Sequence, residues 1–412
     1  MFIHQLDVKS AFLYAKLDEE VWMYPHPEME VPEGYLCLLL RALYGLKQAP
    51  RNWNRHLVDF IVNKMGFKRS ELDHCLFILV TKEGVVVLLA VFVDDMLIAS
   101  TCLATIAHLK RLFKEQFQID DMGMCQEFLG IRITQSSNCI VLDQQFYATE
   151  VIRRFSSFLS ARNYNTTPMC STVRLSKNDS CSVLQQEKVD RFPYREIIGA
   201  LLYLSVITRF DISYAVGHLS RYMAKPTFAA CQAVCRLLSY VKRTVHLGIR
   251  YSGSRLDVHG YSDSDWGTCV DTRKSVSGWV VLMAGAPVSW KSKLQPIVTT
   301  SSMEAEYVAL YGLVQELVWI RQLLESVGLP RRQAVSVFID NRSAQALALN
   351  PVYHQRSKHI DVKYHWLRQH MAGSTFTLQY VSSLANRADI FTKATTGELF
   401  HSHARALLYS WE

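Results

Sequence analysis

The sequence predicts a chain of several folded domains, mixed α+β and α/β in class, and three observations carry that prediction. Its 412 residues are 49% hydrophobic, more than one core accommodates and enough for two or three. Strand-like and helical patterns alternate up to about residue 135, and a mostly helical stretch then runs to about 255. Alternation of strands and helices returns from 256. The boundaries this predicts are 1–135, 136–255, 256–395 and a C-terminal tail, 396–412.

In the first region Gln5–Val8 reads as a short strand and Asn52–Met65 as an amphipathic helix. Val85–Ser100 holds an apolar strand, an acidic pair and a second strand, which puts Asp94-Asp95 at the turn of a hairpin. Thr105–Phe117 has helical periodicity and Glu127–Thr134 is strand-like. Helices are expected at Gln145–Leu159, Tyr194–Thr208, Ala215–Met223 and Ala229–Thr244, with Ser171–Lys188 a polar loop. Strands follow near Asp257–Ser262 and Ser277–Met283, then a long helix, Ser302–Val327, and a strand, Val335–Asp340.

Composition excludes several classes. Charged residues are 20% and no fixed-period repeat or low-complexity tract occurs, which argues against a disordered or solenoid protein. The formal charge of +8 (45 basic against 37 acidic residues) suits a polyanionic partner without requiring one. None of the ten cysteines forms a C-x-x-C pair, so no zinc ribbon is expected. The N-terminus reaches Asp7 and Lys9 before any apolar core forms, unlike a signal peptide. The apolar run Val85–Val93 is far shorter than the ~20 residues of a membrane span. The expectation is a soluble intracellular protein with reduced thiols.

Chemistry is suggested by carboxylates. Phosphoryl transfer with divalent ions needs clustered hard oxygen ligands, often drawn from separate strands. Asp7 at the end of one strand and Asp94-Asp95 on a hairpin offer one such set, although an Asp pair in a turn is commonly just solvated. A second set is Asp263 in GYSDSDWG, Glu306 in SSMEAEYVAL, Asp340 in FIDNRSA and Asp389 in ANRADIFTKA. Asp265 and Glu304 compete with their neighbours; Asp263 is preferred because it continues the strand.

The flanks of these acids resemble a known family. QLDVKSAFL (5–13), LYGLKQAPRNW (43–53), FVDDMLIAS (92–100) and EFLGIRI (127–133), in this order, resemble the palm motifs of copia-type retrotransposon reverse transcriptases. YREIIGALLYLSVITRFDISYAVGHLSRYMAKPT (194–227) resembles a segment of the following helical region, with Phe210 where the family pattern has Pro. The second acidic set and HQRSKHIDVKYHWLRQ (354–369) resemble the ribonuclease H of the same polyproteins, over about 257–395.

That resemblance implies a reverse-transcriptase palm lacking most of the fingers, a helical thumb and connection, then a ribonuclease H-like α/β domain. It implies that Asp7, Asp94 and Asp95 hold two Mg²⁺ ions, with Mn²⁺ as a substitute, for nucleotidyl transfer. Asp263, Glu306, Asp340 and Asp389 would hold a second pair for RNA hydrolysis, Glu306 matching the family Glu before the Tyr. Phe12 would exclude a ribose 2′-hydroxyl, and Tyr44, Gly45 and Lys47 would support the nucleotide and template. Phe128, Leu129 and Gly130 would lie in the hairpin that grips the primer. Arg209, Arg221, Lys225, Arg236, Lys242 and Arg243 would face the duplex phosphates. No His occurs in YVSSLANRAD before Asp389, so proton transfer would fall to water or another group, with modest turnover.

Partners implied are an RNA template, a DNA primer, an RNA–DNA hybrid and dNTPs, in a cytoplasmic virus-like particle, with the nucleus as second compartment. Only six residues precede Asp7, so the fingers are expected to be truncated and the HQLDV strand to be short of sheet partners. Two alternatives stay open: a truncated copy with a dead polymerase and a working nuclease, and a non-enzymatic nucleic-acid-binding remnant.

Overall fold

The computed structural model describes residues 1–159, 165–252, 256–329, 333–349, 361–373 and 375–410. It divides into two compact units, Met1–Gln126 with Gln322–Pro330, and Glu127–Arg321 with Arg331–Glu412.

The first unit contains β1 (Phe2–Val8), β2 (Trp22–Met23), β3 (Cys37–Leu38), α1 (Ala49–Asp59), β4 (Lys68–Arg69), β5 (Leu76–Val80), β6 (Val86–Phe92), β7 (Asp95–Ser100), α2 (Leu103–Gln116) and β8 (Ile119–Met124). Six strands form one sheet in the order β4-β5-β6-β7-β1-β8. Alternation decides which face is covered: Leu6 and Val8, Val87 and Leu89, and Met96 and Ile98 all point to one side. There they meet Ile106, Leu109 and Phe113 of α2 and Trp53 and Leu57 of α1. Each such side chain contributes roughly 1.5–3 kcal/mol through burial.

The N-terminal strand is not short of partners. β1 lies between β7 and β8, antiparallel to both. The second partner, β8, was illegible because IDDMGM neither alternates nor is rich in β-formers; long-range pairing makes it a strand. The helix expected at Asn52–Met65 begins earlier, at Ala49 with Pro50 in its first turn, and ends in a π-helical turn, Phe60–Lys64.

The second unit opens with β9 (Glu127–Phe128), β10 (Ile131–Gln135), β11 (Cys139–Asp143) and α3 (Gln145–Arg154). The polar 171–188 stretch is not all loop, because α4 spans Val183–Asp190. Its start carries a reciprocal capping box between Ser182 and Gln185, a signal readable as S-x-x-Q. Then come α5 (Tyr194–Ile207), α6 (Ser213–Leu219), α7 (Phe228–Arg243) and β12 (Leu247–Ser252). After β13 (His259–Ser264), β14 (Val276–Met283) and β15 (Ala286–Leu294) runs the long α8 (Ser302–Ser326). β16 (Val335–Ile339), α9 (Arg342–Leu349), α10 (Asp361–Ala372), β17 (Phe376–Tyr380), α11 (Gly397–Arg405) and β18 (Tyr409–Ser410) complete it.

One sheet has the order β18-β12-β11-β10-β9 and the other β15-β14-β13-β16-β17. In the latter, β13–β15 form an antiparallel meander and β16 and β17 add in parallel, the ribonuclease H-like arrangement. A single hydrophobic core joins α3 and α5–α7 to Val280 and Leu282 of β14 and to Ile390 and Phe391. Residues 396–410 belong to this packing: Phe400 and Ala404 are buried in it, and β18 pairs with β12.

Candidate metal centres

In the first unit, antiparallel register sets Asp7 of β1 opposite Asp95 of β7. The hairpin turn between β6 and β7 is Val93-Asp94, and Asp94 accepts a backbone bond from Val8 N at 3.0 Å. One carboxylate oxygen from each of Asp7, Asp94 and Asp95 lies within 4.8 Å of the others, all half-buried. Burial, and then the charges of Asp94, Asp95 and Asp120, raise the Asp7 carboxyl above its usual range. Asp120, opposite Asp7 on β8 and paired with Lys9 at 2.9 Å, is an acid that sequence reasoning missed.

The turn is held in an unusual shape. Val93 has φ of 59°, a left-handed conformation costly for a β-branched residue. Trp53, buried in α1, donates from Nε1 to the Val93 carbonyl at 2.7 Å and so pins that turn from below. Phe12 packs its ring on Tyr44 with centroids 4.4 Å apart. Burial and the Asp94 and Asp7 charges raise the Tyr44 phenol, which places it in the field of the acids. Gly45 takes φ of 100°, which a side chain would oppose, and Lys47 is exposed.

Phe128, Leu129 and Gly130 belong to the second unit. Leu129 and Gly130 form the two-residue turn between β9 and β10, both with positive φ (51° and 71°), as a type I′ hairpin needs. The Tyr203 hydroxyl donates to the Leu129 carbonyl, a support no local pattern announced.

The second cluster is built at the C-terminal ends of β13 and β16 and on the first turns of α8. Oxygens of Asp263, Glu306 and Asp340 lie within 4.8 Å of one another, the first two buried. Glu306 Oε1 accepts from Ser264 N at 3.2 Å, while its buried Oε2 has no hydrogen-bond partner. Burial pushes the Asp263 carboxyl up to about 7 against the pull of Lys393, with Asp389 and Asp340 adding to the rise. Burial, and then the charges of Asp263 and Asp340, hold Glu306 well above the usual carboxylate range.

Asp389 is outside that trio. It begins a 3₁₀ turn and pairs with Lys393 at 2.9 Å, and Lys393 also stands 3.8 Å from Asp263. The Thr392 hydroxyl donates to Asp263. Lys393 and Thr392 were missed, although both lie in the ANRADIFTKA motif. The competing acids are occupied elsewhere: Asp265 accepts from Thr268 and from Val276 N, and Glu304 Oε2 accepts from Thr300 N at 2.6 Å and Oγ1 at 2.8 Å. His403 of α11 is buried in the field of Asp389, a histidine beyond the segment searched by sequence.

Both clusters suit a hard divalent cation. Their donors are carboxylate oxygens without Cys or His, and the buried Glu306 Oε2, which has no hydrogen-bond partner, is an acceptor that such a cation would satisfy.

Other expectations fall differently. Arg209 does not face a duplex: it is buried, bidentate to Asp211 at 2.8 and 2.9 Å and bonded to the Thr244 carbonyl. Phe210 fills the core beside Trp290 and Phe391, a place where Pro's fixed φ is not needed for packing. His354 and His359 lie outside the described residues; His365, on α10, is exposed.

A family model described as reverse transcriptase (RNA-dependent DNA polymerase) matches residues 1–171. The chain is 35% identical over 410 residues to the retrovirus-related Pol polyprotein of transposon TNT 1-94 from Nicotiana tabacum, covering 97% of this chain and 30% of that one. It is 34% identical over 317 residues to a transposon Ty5-1 protein of Saccharomyces cerevisiae, covering 76% of this chain and 100% of that one. The RE1 Pol polyprotein of Arabidopsis thaliana matches at 35% over 98% of the chain and 27% of its own length. The chain thus spans under a third of the two Pol polyproteins. Among solved structures, a foamy viral protease-reverse transcriptase in complex with RNA/DNA hybrid aligns with a TM-score of 0.47 at 13% identity, over 93% of this chain and 44% of that one.

Proposed function

The chain belongs to the Pol proteins of copia-type retrotransposons, and from that premise we propose that it polymerises DNA on an RNA template and cuts RNA in RNA–DNA hybrids. The observation that carries this reading is the closure of two all-carboxylate trios, each within 4.8 Å, from residues far apart in sequence. Asp7, Asp94 and Asp95 would hold the ions of the polymerase, and Asp263, Glu306 and Asp340, with Asp389 beside them, those of the nuclease. Bound there, paired Mg²⁺ (or Mn²⁺) lowers the pKa of an attacking hydroxyl or water and offsets charge on the phosphate.

The protein's own groups divide the remaining work. The Phe12–Tyr44 pair presents a rigid apolar wall beside the acids, a surface that would reject a ribose 2′-hydroxyl. Gly45 lets the backbone approach the dNTP, and exposed Lys47 would contact a phosphate. The I′ turn at Leu129-Gly130, braced by Tyr203 and preceded by Phe128, offers a rigid support for the DNA primer. In the nuclease, Lys393 balances Asp263 and Asp389, so that acids this deeply buried can ionise. Template, primer, hybrid and dNTPs are the partners in this reading, and a cytoplasmic virus-like particle is its setting.

The test uses purified chain, Mg²⁺, dNTPs and a labelled RNA template carrying a DNA primer. Asp94→Asn should reduce extension more than a hundredfold and leave RNA cleavage intact; Asp340→Asn should do the reverse. Even outer-shell partners of metal ligands are worth ~10–100-fold. Cleavage without extension would leave the nuclease alone, and binding with neither activity would overturn the enzymatic reading.

A further inference from the structure

Between the Met169–Leu175 segment, α6 and the loop after β13 lies a cavity of about 240 Å³ that neither carboxylate trio uses. We infer that it is a binding site for a 5′-phosphate monoester carried on a nucleoside: a free nucleotide or the 5′-phosphorylated end of an RNA.

One wall is aromatic. Tyr214, His218 and Tyr222 follow one another at four-residue intervals from α6, with ring centroids 5.8 and 6.0 Å apart. Both nitrogens of His218 are buried and have no hydrogen-bond partner in the protein. An unmet buried polar group costs ~1–3 kcal/mol, so two on one ring at a cavity wall call for a partner that enters from outside. Burial, then Arg221 and to a lesser extent Arg174, push His218 down to about 4 against the pull of Asp271, leaving a neutral ring with one donor and one acceptor at pH 7.

Charges of both signs act in the cavity. Arg174 lines it and Arg221 acts on the same groups, and neither is held in an ion pair among the described residues. Lys393 reaches it from the other side. Two acids act on the same groups and keep their charge while hydrogen-bonded: Asp265 accepts from Thr268 and Val276 N, and Asp271 from Ser176 and the Lys177 N–H. Cations beside aromatic rings, here tilted 40° to one another, can recognise a phosphate and a base together. At about 240 Å³ the space is below the ~300–1,000 Å³ of drug-sized sites, room for a phosphate with part of its nucleoside and not for a duplex. Lys393 also contacts Asp389 and Asp263, so a ligand here would sit next to the second cluster.

The inference goes beyond the proposed function and requires neither cluster to be active. Calorimetric titrations of the whole chain in EDTA test it with 5′-AMP, adenosine, inorganic phosphate and trinucleotide RNAs with 5′-phosphate or 5′-hydroxyl ends. Saturable binding of a phosphorylated probe is expected, with adenosine and the 5′-hydroxyl RNA at least tenfold weaker. Arg174→Gln, on an exposed segment, and His218→Phe, which keeps an aromatic ring but removes both nitrogens, should each weaken it about tenfold, a charge-assisted hydrogen bond being worth ~1.5–3 kcal/mol. A tighter phosphorylated trinucleotide identifies an RNA end; AMP equal or tighter identifies a free nucleotide. No saturable binding, equal binding of the dephosphorylated probes, or binding unchanged in both variants overturns the site. Because ions are absent, these outcomes are independent of extension and cleavage.

Discussion

The two carboxylate trios share a ligand type and a spacing but solve the problem of like charges in opposite ways. Asp7, Asp94 and Asp95 are half-buried, so water tempers their repulsion, and the strain sits in the backbone at Val93. Asp263 and Glu306 are buried, the backbone is regular strand and helix, and the strain is electrostatic, relieved in part by Lys393. A cluster on a hairpin tip can lean on solvent. One buried at the strand ends of a sheet needs a cation supplied by the fold or bound from outside.

The widest difference should appear in the response to pH and Mg²⁺. Asp263 and Glu306 have folded-state pKa values above their unfolded ones. In the native state they keep protons that the unfolded chain has released, so their contribution is fully present below about pH 4 and is lost as pH rises to about 7 and beyond. In EDTA, denaturant melts of the second unit should therefore weaken between pH 5 and 8, by an amount on the order of a few kcal/mol, and Mg²⁺ should restore most of the loss. A flat profile without metal would show that burial does not control this cluster.

A smaller effect tests the rigidity of the buried centre. A Cβ on Gly278, the residue opposite Asp263, would lie 2.6 Å from Thr392 Cγ2 and 2.7 Å from Phe391 Cβ. Gly278→Ala should cost about 1–3 kcal/mol and reduce RNA cleavage by displacing Thr392 and Lys393, with primer extension unchanged. Unaltered cleavage at wild-type stability would mean the 389–393 turn adjusts freely.

The smallest prediction concerns the hairpin. Val93→Gly should relieve the left-handed strain and, after glycine's added chain entropy, stabilise the first unit by up to about 1 kcal/mol. A lower melting temperature for this variant would place the strain elsewhere.

Much of this was legible in local pattern. The hairpin carrying Asp94-Asp95, the helices over 194–243 and the long helix bearing Glu306 follow from periodicity, which depends only on neighbouring residues. The copia-type motifs named both acidic sets and, by their flanks, the family. β17 was passed over although FTLQY alternates and is rich in β-formers; β8 was not legible, because pairing rather than propensity makes it a strand. Nor were Trp53 beneath Val93, Tyr203 behind Leu129, or Arg209 turned inward to Asp211, since each depends on a partner distant in sequence or on burial.

The amino-acid sequence by itself determined the residue types, their order and the class of chemistry they suit, because ligand hardness and motif spacing are properties of the chain. Tertiary structure alone decided that β1 is a central strand, that Asp389 stays outside the trio, and that Lys393 stands between Asp263 and Asp389. The physical reason is that charge–charge energies and hydrogen-bond satisfaction depend on distance and burial, and both are set only when segments far apart in sequence pack together.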